Sequence, residues 1–175
     1  TPEDYLLFLG RFAPENGVLE AITTARRTNI RLILAAAEND YYREHIASLV
    51  DGTHVTYHGE VTGTTKARLV GQARALLYPI QTAESFGLVL AEAMACGTPI
   101  AALRLGAVDE LIDEGVTGIA YDTLEELVYG LPRVLTLDRK AVRERAEQKF
   151  DTDRMVDQYL DIYSSVIRSH STRHR

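Results

Sequence analysis

Arg11 and Glu92 are the residues whose charge and surroundings speak most directly of chemistry. Arg11 follows an apolar run, Tyr5-Leu6-Leu7-Phe8-Leu9, in the stretch Gly10-Arg11-Phe12-Ala13-Pro14-Glu15-Asn16-Gly17. Gly10 permits a sharp exit from the run. A guanidinium placed there holds a permanent charge in a planar fork that meets two phosphate oxygens at once. A surface pair with a neighbouring glutamate accounts for Arg11 equally well. Glu92 interrupts a segment from Phe86 to Cys96 that is otherwise apolar or small on every side. A helix of that composition is expected to be buried, and a buried carboxylate needs partners or gives up its charge. Ribose hydroxyls would satisfy it; so would an internal salt bridge or a helix-end contact.

The residues just before that helix strengthen the reading toward phosphate. Ser85 is expected as its N-cap, so that Phe86, Gly87 and Leu88 present backbone N–H groups at a helix start, where anions bind. Gly87, without a side chain, would let a phosphate approach the backbone closely. Gly97 and Pro99 end the helix. No GxGxxG or P-loop lysine pattern accompanies these residues.

The elements that would position them alternate short apolar runs with longer amphipathic ones, the pattern of βα units on a parallel sheet. Strands are expected at 5–9, 31–35, 55–58, 75–78, 100–102 and 118–121. Most are unbroken apolar runs, as in a sheet covered by helices on both faces. Helices are expected at 17–28, 40–49, 64–72, 86–95, 108–113, 124–135, 139–149 and 153–168. The fold class is therefore α/β, a Rossmann-like doubly wound parallel sheet of about six strands in a single domain, 1–175. In such sheets ligands bind beyond the carboxyl ends of the strands, which is where Arg11 and the 78–99 stretch fall. Met155, Tyr159, Ile162, Tyr163, Val166 and Ile167 give the last helix an apolar face. By default that face is expected to pack on the body of this domain; the sharper alternative is that part of it is made for another domain.

Composition narrows the partners. The chain has 175 residues, is 46% hydrophobic and carries a net charge of -6, which argues against nucleic acid as the main partner. No run is long and apolar enough to span a bilayer. The acidic opening Thr1-Pro2-Glu3-Asp4 is unlike a signal peptide, and the single Cys96 excludes an internal disulfide; both fit a cytoplasmic protein. The basic tail from Arg168 to Arg175 is either a solvated end or a contact with anionic lipid or acceptor, which would make the protein peripheral at a membrane.

Glu84 and Glu92 stand with seven residues between them in Glu84-Ser-Phe-Gly-Leu-Val-Leu-Ala-Glu92-Ala-Met-Ala-Cys-Gly-Thr-Pro99. This stretch resembles the signature of retaining glycosyltransferases of the GT-B fold, family four. The resemblance covers nearly the whole chain: Leu7-Phe-Leu-Gly-Arg11, Tyr57-His-Gly-Glu-Val61, Gly106 with Glu110, Gly115-Val-Thr-Gly118 and the stretch from Glu147 through Phe150 to Tyr163 follow in the family's order. It implies the C-terminal, donor-binding half of such an enzyme, holding a UDP- or GDP-sugar and transferring a hexose with retention. On this resemblance Glu92 holds the ribose and the backbone of Phe86, Gly87 and Leu88 meets the diphosphate. Glu84 lies near the donor sugar, and Arg11, beside Gly10, neutralises the leaving diphosphate. The backbone of Val61 sits against the base, and Lys66 belongs to the same pocket. No metal is implied, and the five histidines show no ligand spacing.

Two departures from the family accompany the match. Asn16 stands where the family usually places a lysine beside the arginine, which removes a charge-assisted contact worth roughly 1.5–3 kcal/mol. The resemblance also implies an N-terminal, acceptor-binding domain. Because Thr1-Pro2 leads straight into the first strand, that partner domain is expected to be missing, the donor half alone to be inactive, and the 153–168 helix to be a surface for it. The alternative is a non-catalytic nucleotide-sugar-binding module or degenerate paralogue. A dinucleotide oxidoreductase fares poorly, lacking the glycine fingerprint and the acidic residue that should follow it.

Overall fold

The computed structural model describes residues 2–172, with side chains to 168. The end of the basic tail, 173–175, and the side chains of 169–172 lie outside the described residues, and with them most of the lipid or acceptor contact read from that tail.

Six parallel strands form one sheet: β1 (Leu6–Leu9), β2 (Leu32–Ala35), β3 (Val55–Tyr57), β4 (Ala75–Tyr78), β5 (Ile100–Leu103) and β6 (Gly118–Tyr121), in the order β3-β2-β1-β4-β5-β6. Helices α1 (Val18–Thr28), α2 (Gly63–Gln72), α3 (Leu88–Ala95), α4 (Val108–Leu111), α5 (Leu124–Val134), α6 (Arg139–Phe150) and α7 (Thr152–Thr172) complete the chain. The unbroken apolar strands are explained by two cores. Successive strand residues face opposite sides, so Leu6 and Phe8 of β1 enter a core with Ile22 of α1 and Leu131 of α5. Leu7 enters the other, with Val70 of α2, Met94 of α3 and Val142 of α6. Burying each leucine contributes about 1.5–3 kcal/mol.

The strand order reverses between β1 and β4, β1 pairing with β2 on one side and β4 on the other. Connections from β1 and β4 therefore leave toward opposite faces, and their loops splay to leave a crevice at the strands' carboxyl ends.

Three expectations change. The segment 40–49 is helical but not α throughout: a π turn, Tyr42–Ile46, runs into a 3-10 turn, Ala47–Leu49. It is seated by Tyr42, stacked 5.0 Å from Phe12 and 4.5 Å from Tyr57. Helix α3 begins at Leu88, two residues later than expected, and Ser85 is not its cap. Finally, α7 does not pack on the body of the domain: Met155, Tyr159, Ile162, Tyr163, Val166 and Ile167 are all exposed.

Helix α6 is tethered by charge as well as by Val142 and Ala146. Asp113, before β6, receives hydrogen bonds from Arg145 and, at 2.9 Å, from Lys149. Burial raises the Asp113 carboxyl, but those two partners outweigh it and hold it below the usual carboxylate range. A depressed folded value means stability that is present above the unfolded pKa and lost as pH falls through the folded one. Asp113→Asn is therefore expected to cost about 1–2 kcal/mol at neutral pH, moderated because Arg145 stays partly in water. In urea melts the gap to the parent chain should shrink as pH is lowered from about 5 toward 2; a gap independent of pH would contradict the tether.

Candidate functional site

The loop after β1 is fixed by its aromatic residue. Phe12 is buried and stacks between Phe8, at 6.2 Å, and Tyr42, which leaves Gly10 and Arg11 at the crevice. Arg11 Nη2 meets Glu15 Oε1 at 3.0 Å, the surface pair anticipated as its alternative role, and its side chain is 72% exposed. Such a pair is worth about 0–1 kcal/mol, so it holds the guanidinium only weakly. Asn16 donates from Nδ2 to the Arg11 carbonyl oxygen at 2.8 Å, so it braces the arginine's backbone.

The loop after β4 is held against the first. Gly17 has φ +71°, and a Cβ there would stand 1.7 Å from the Pro79 carbonyl oxygen, so only glycine lets the two loops pass. The Gln81 amide adds a 2.8 Å hydrogen bond to the Glu15 carbonyl. Further along, a Cβ on Gly106 (φ +59°) would come within 2.4 Å of the Glu84 carbonyl oxygen, to which the Ala107 amide donates at 3.0 Å. The main chain of Glu84 is thus pinned from the loop after β5.

Gly87 explains why α3 starts late. The chain turns through it at φ +76°, directly over the buried ring of Tyr78, whose hydroxyl would lie 2.8 Å from any Cβ at that position. Phe86 stays outside the helix, 43% exposed and edge-on to Phe150 at 6.2 Å. The first free amides of α3 belong to Leu88 and Val89, and the Leu90 amide already bonds to the Gly87 carbonyl at 2.9 Å. Leu88 is 71% exposed, so α3, expected to be buried, is not buried on every side.

Two adjoining cavities share Leu9, Gly10, Arg11 and Val89. One, of about 510 Å3, is lined by Asn16, Tyr78, Glu84, Phe86, Gly87 and Leu88; the other, of about 470 Å3, by Glu60, Val61, Lys66 and Glu92. Every residue given a role in donor binding or catalysis by the sequence lines one of them. Arg11 is the one cation around the first cavity among the described residues. Lys66 is in the second, its Nζ 2.5 Å from Glu92 Oε1. Glu92 is half-buried and engaged in the internal salt bridge weighed as its alternative role.

Tyr78 was missed by sequence reasoning. Its hydroxyl donates to Glu84 Oε2, and burial first, then Glu84, push the phenol well above its ordinary value. The available signal was a hydroxyl on the last residue of an otherwise apolar strand. Among the described residues, no three His, Cys, Asp or Glu side chains come together as metal ligands, and no helix is long and apolar enough to cross a membrane.

Residues 1–149 match the family model of glycosyl transferases group 1. The chain belongs to that family. Among its relatives is the D-inositol 3-phosphate glycosyltransferase of Mycobacterium avium, 30% identical over 193 residues, covering 99% of this chain and 44% of the relative. AviGT4, a glycosyltransferase involved in avilamycin A biosynthesis, superposes with a TM-score of 0.78 at 27% identity, over 97% of this chain and 52% of that one. Anabaena Alr3699/HepE, solved in complex with UDP-glucose, has the same fold: TM-score 0.75 at 23% identity, over 93% of this chain and 49% of that one. The fold of this group 1 glycosyltransferase chain is thus the α/β Rossmann-like half of a GT-B architecture. The chain spans about half the length of the curated relatives it matches over most of its own length.

Because Gly106 pins Glu84, Gly106→Ala should cost about 1–3 kcal/mol from overpacking and strain. A thermal melt should show a Tm lower by roughly 2–12 °C; an unchanged Tm would mean that the loop is not held there.

Proposed function

We propose that this chain is the donor-binding half of a retaining glycosyltransferase that takes a UDP- or GDP-sugar and passes its hexose to an acceptor. The observation that carries the reading is the meeting, in one crevice, of Arg11, the opening amides of α3 and the two carboxylates Glu84 and Glu92.

The diphosphate lies between Arg11 and the amides at Leu88 and Val89, where a guanidinium and a helix N-terminus both favour anionic oxygen. Glycosyl transfer puts positive charge on the anomeric carbon and negative charge on the departing diphosphate, and these groups stabilise the latter without reorganising. Glu92 exchanges the Lys66 ammonium for the ribose hydroxyls, the Val61 backbone borders the base, and Glu84 faces the sugar. No metal is needed on this reading. In a complete GT-B enzyme a second domain supplies the acceptor and closes the crevice against water; α7, with its exposed apolar face, is the surface offered to it. A cytoplasmic setting suits such donors.

A second reading, a module that binds nucleotide-sugar without transferring it, is favoured by one observation. Asn16 spends its amide on the Arg11 carbonyl and supplies no charge to the diphosphate.

Calorimetric titration of the chain with UDP, GDP and ADP, repeated on Glu92→Ala, tests the donor site. UDP comes first because HepE, which shares the fold, is described with UDP-glucose. One nucleotide should bind, and the variant should bind it about 10- to 100-fold more weakly, as expected for losing hydrogen bonds to a charged acceptor, with its melt still cooperative. Equal affinity in the two proteins would sink the assignment of Glu92.

A further inference from the structure

We propose that Tyr78 is a positioning residue for the donor sugar, acting through Glu84. The inference rests on the donor reading and adds a residue to it. Glu84 sits on a loop at the solvent edge of the crevice, where a carboxylate on a flexible side chain ordinarily samples several rotamers. Here it is held at both ends. Its main chain is pinned by Gly106 and the Ala107 amide, and its Oε2 accepts the hydroxyl of Tyr78. Tyr78 is itself immobile: its ring is 8% exposed, it ends β4, and the hydroxyl lies beneath the backbone of Gly87. Burial and the adjacent carboxylate raise the phenol far above neutrality, so it keeps its proton and donates.

The consequence is directional. With Oε2 occupied, Oε1 accepts no hydrogen bond that the structure shows among the described residues, and on a residue that lines the cavity it is the oxygen left for a ligand. One fixed acceptor suits one sugar hydroxyl, and fixing it before binding avoids ordering the side chain when the donor arrives. Arg11 and the α3 amides, which meet the diphosphate, do not depend on this hydrogen bond. Tyr78 should therefore matter for the sugar and not for the nucleotide.

Tyr78→Phe removes the hydroxyl and keeps the buried ring, so the fold is retained. Affinities of the parent chain, Tyr78→Phe, Glu84→Ala and the double variant are to be compared for UDP against UDP-glucose and GDP against GDP-mannose. For the nucleotide that binds, Tyr78→Phe should leave the plain diphosphate within about twofold and weaken its sugar ester by about five- to tenfold, one well-made hydrogen bond. Glu84→Ala should lose as much, and the double variant no more. A Tyr78→Phe chain that loses both ligands equally, or neither, overturns the inference while leaving the donor site standing. So does a double variant whose losses add. Failure of the parent chain to bind any of the four ligands removes the donor reading, and this inference with it.

Discussion

The close passage of two loops, one after β1 and one after β4, is the constraint on which the rest of the site depends. Their strands are neighbours at the point where the sheet reverses its winding, so the loops depart toward opposite faces and leave a crevice. What keeps the crevice narrow is Gly17 lying against the Pro79 carbonyl, a contact that no residue with a side chain permits. From that contact Arg11 is carried to one wall and Glu84 to the other. Gly87 turns the second loop into α3, and its lack of a Cβ leaves space for the Tyr78 hydroxyl below.

The electrostatics are divided between two lobes. The first holds Arg11 and the amides that open α3, with Glu84 at its edge; the second holds the Lys66–Glu92 pair beside Val61. Both charged pairs are closed on themselves, Arg11 on Glu15 and Lys66 on Glu92. Both are partly in water and of small net worth, so breaking them would carry no large penalty. Asn16, uncharged, spends its amide on the Arg11 carbonyl, so Arg11 is the one cation around the first lobe among the described residues.

The strands and the crevice were legible because both follow from local pattern: apolar runs for a sheet covered on two faces, glycine and arginine at a strand exit. The Arg11–Glu15 pair is four residues apart and could be anticipated. The Lys66–Glu92 pair could be listed only as an unnamed salt bridge, since its members are on different helices 26 residues apart. Ser85 has the right chemistry for an N-cap, but the chain makes a left-handed turn at Gly87, above Tyr78, and the helix starts past it. The apolar face of α7 was legible from its spacing; that it stays clear of the domain body was not, because periodicity reveals a face and never its partner.

The proposed donor site is defined spatially: a nucleotide diphosphate would lie across the carboxyl ends of β1 and β4. The most direct measurement is a titration of the isotopically labelled chain with the diphosphate that binds, following backbone amide resonances. The account predicts that the largest shifts fall on Gly10, Arg11, Val61 and the amides of Gly87, Leu88 and Val89, with β6 and α5 unmoved. Shifts centred on another face of the sheet, or spread evenly over the chain, would contradict it.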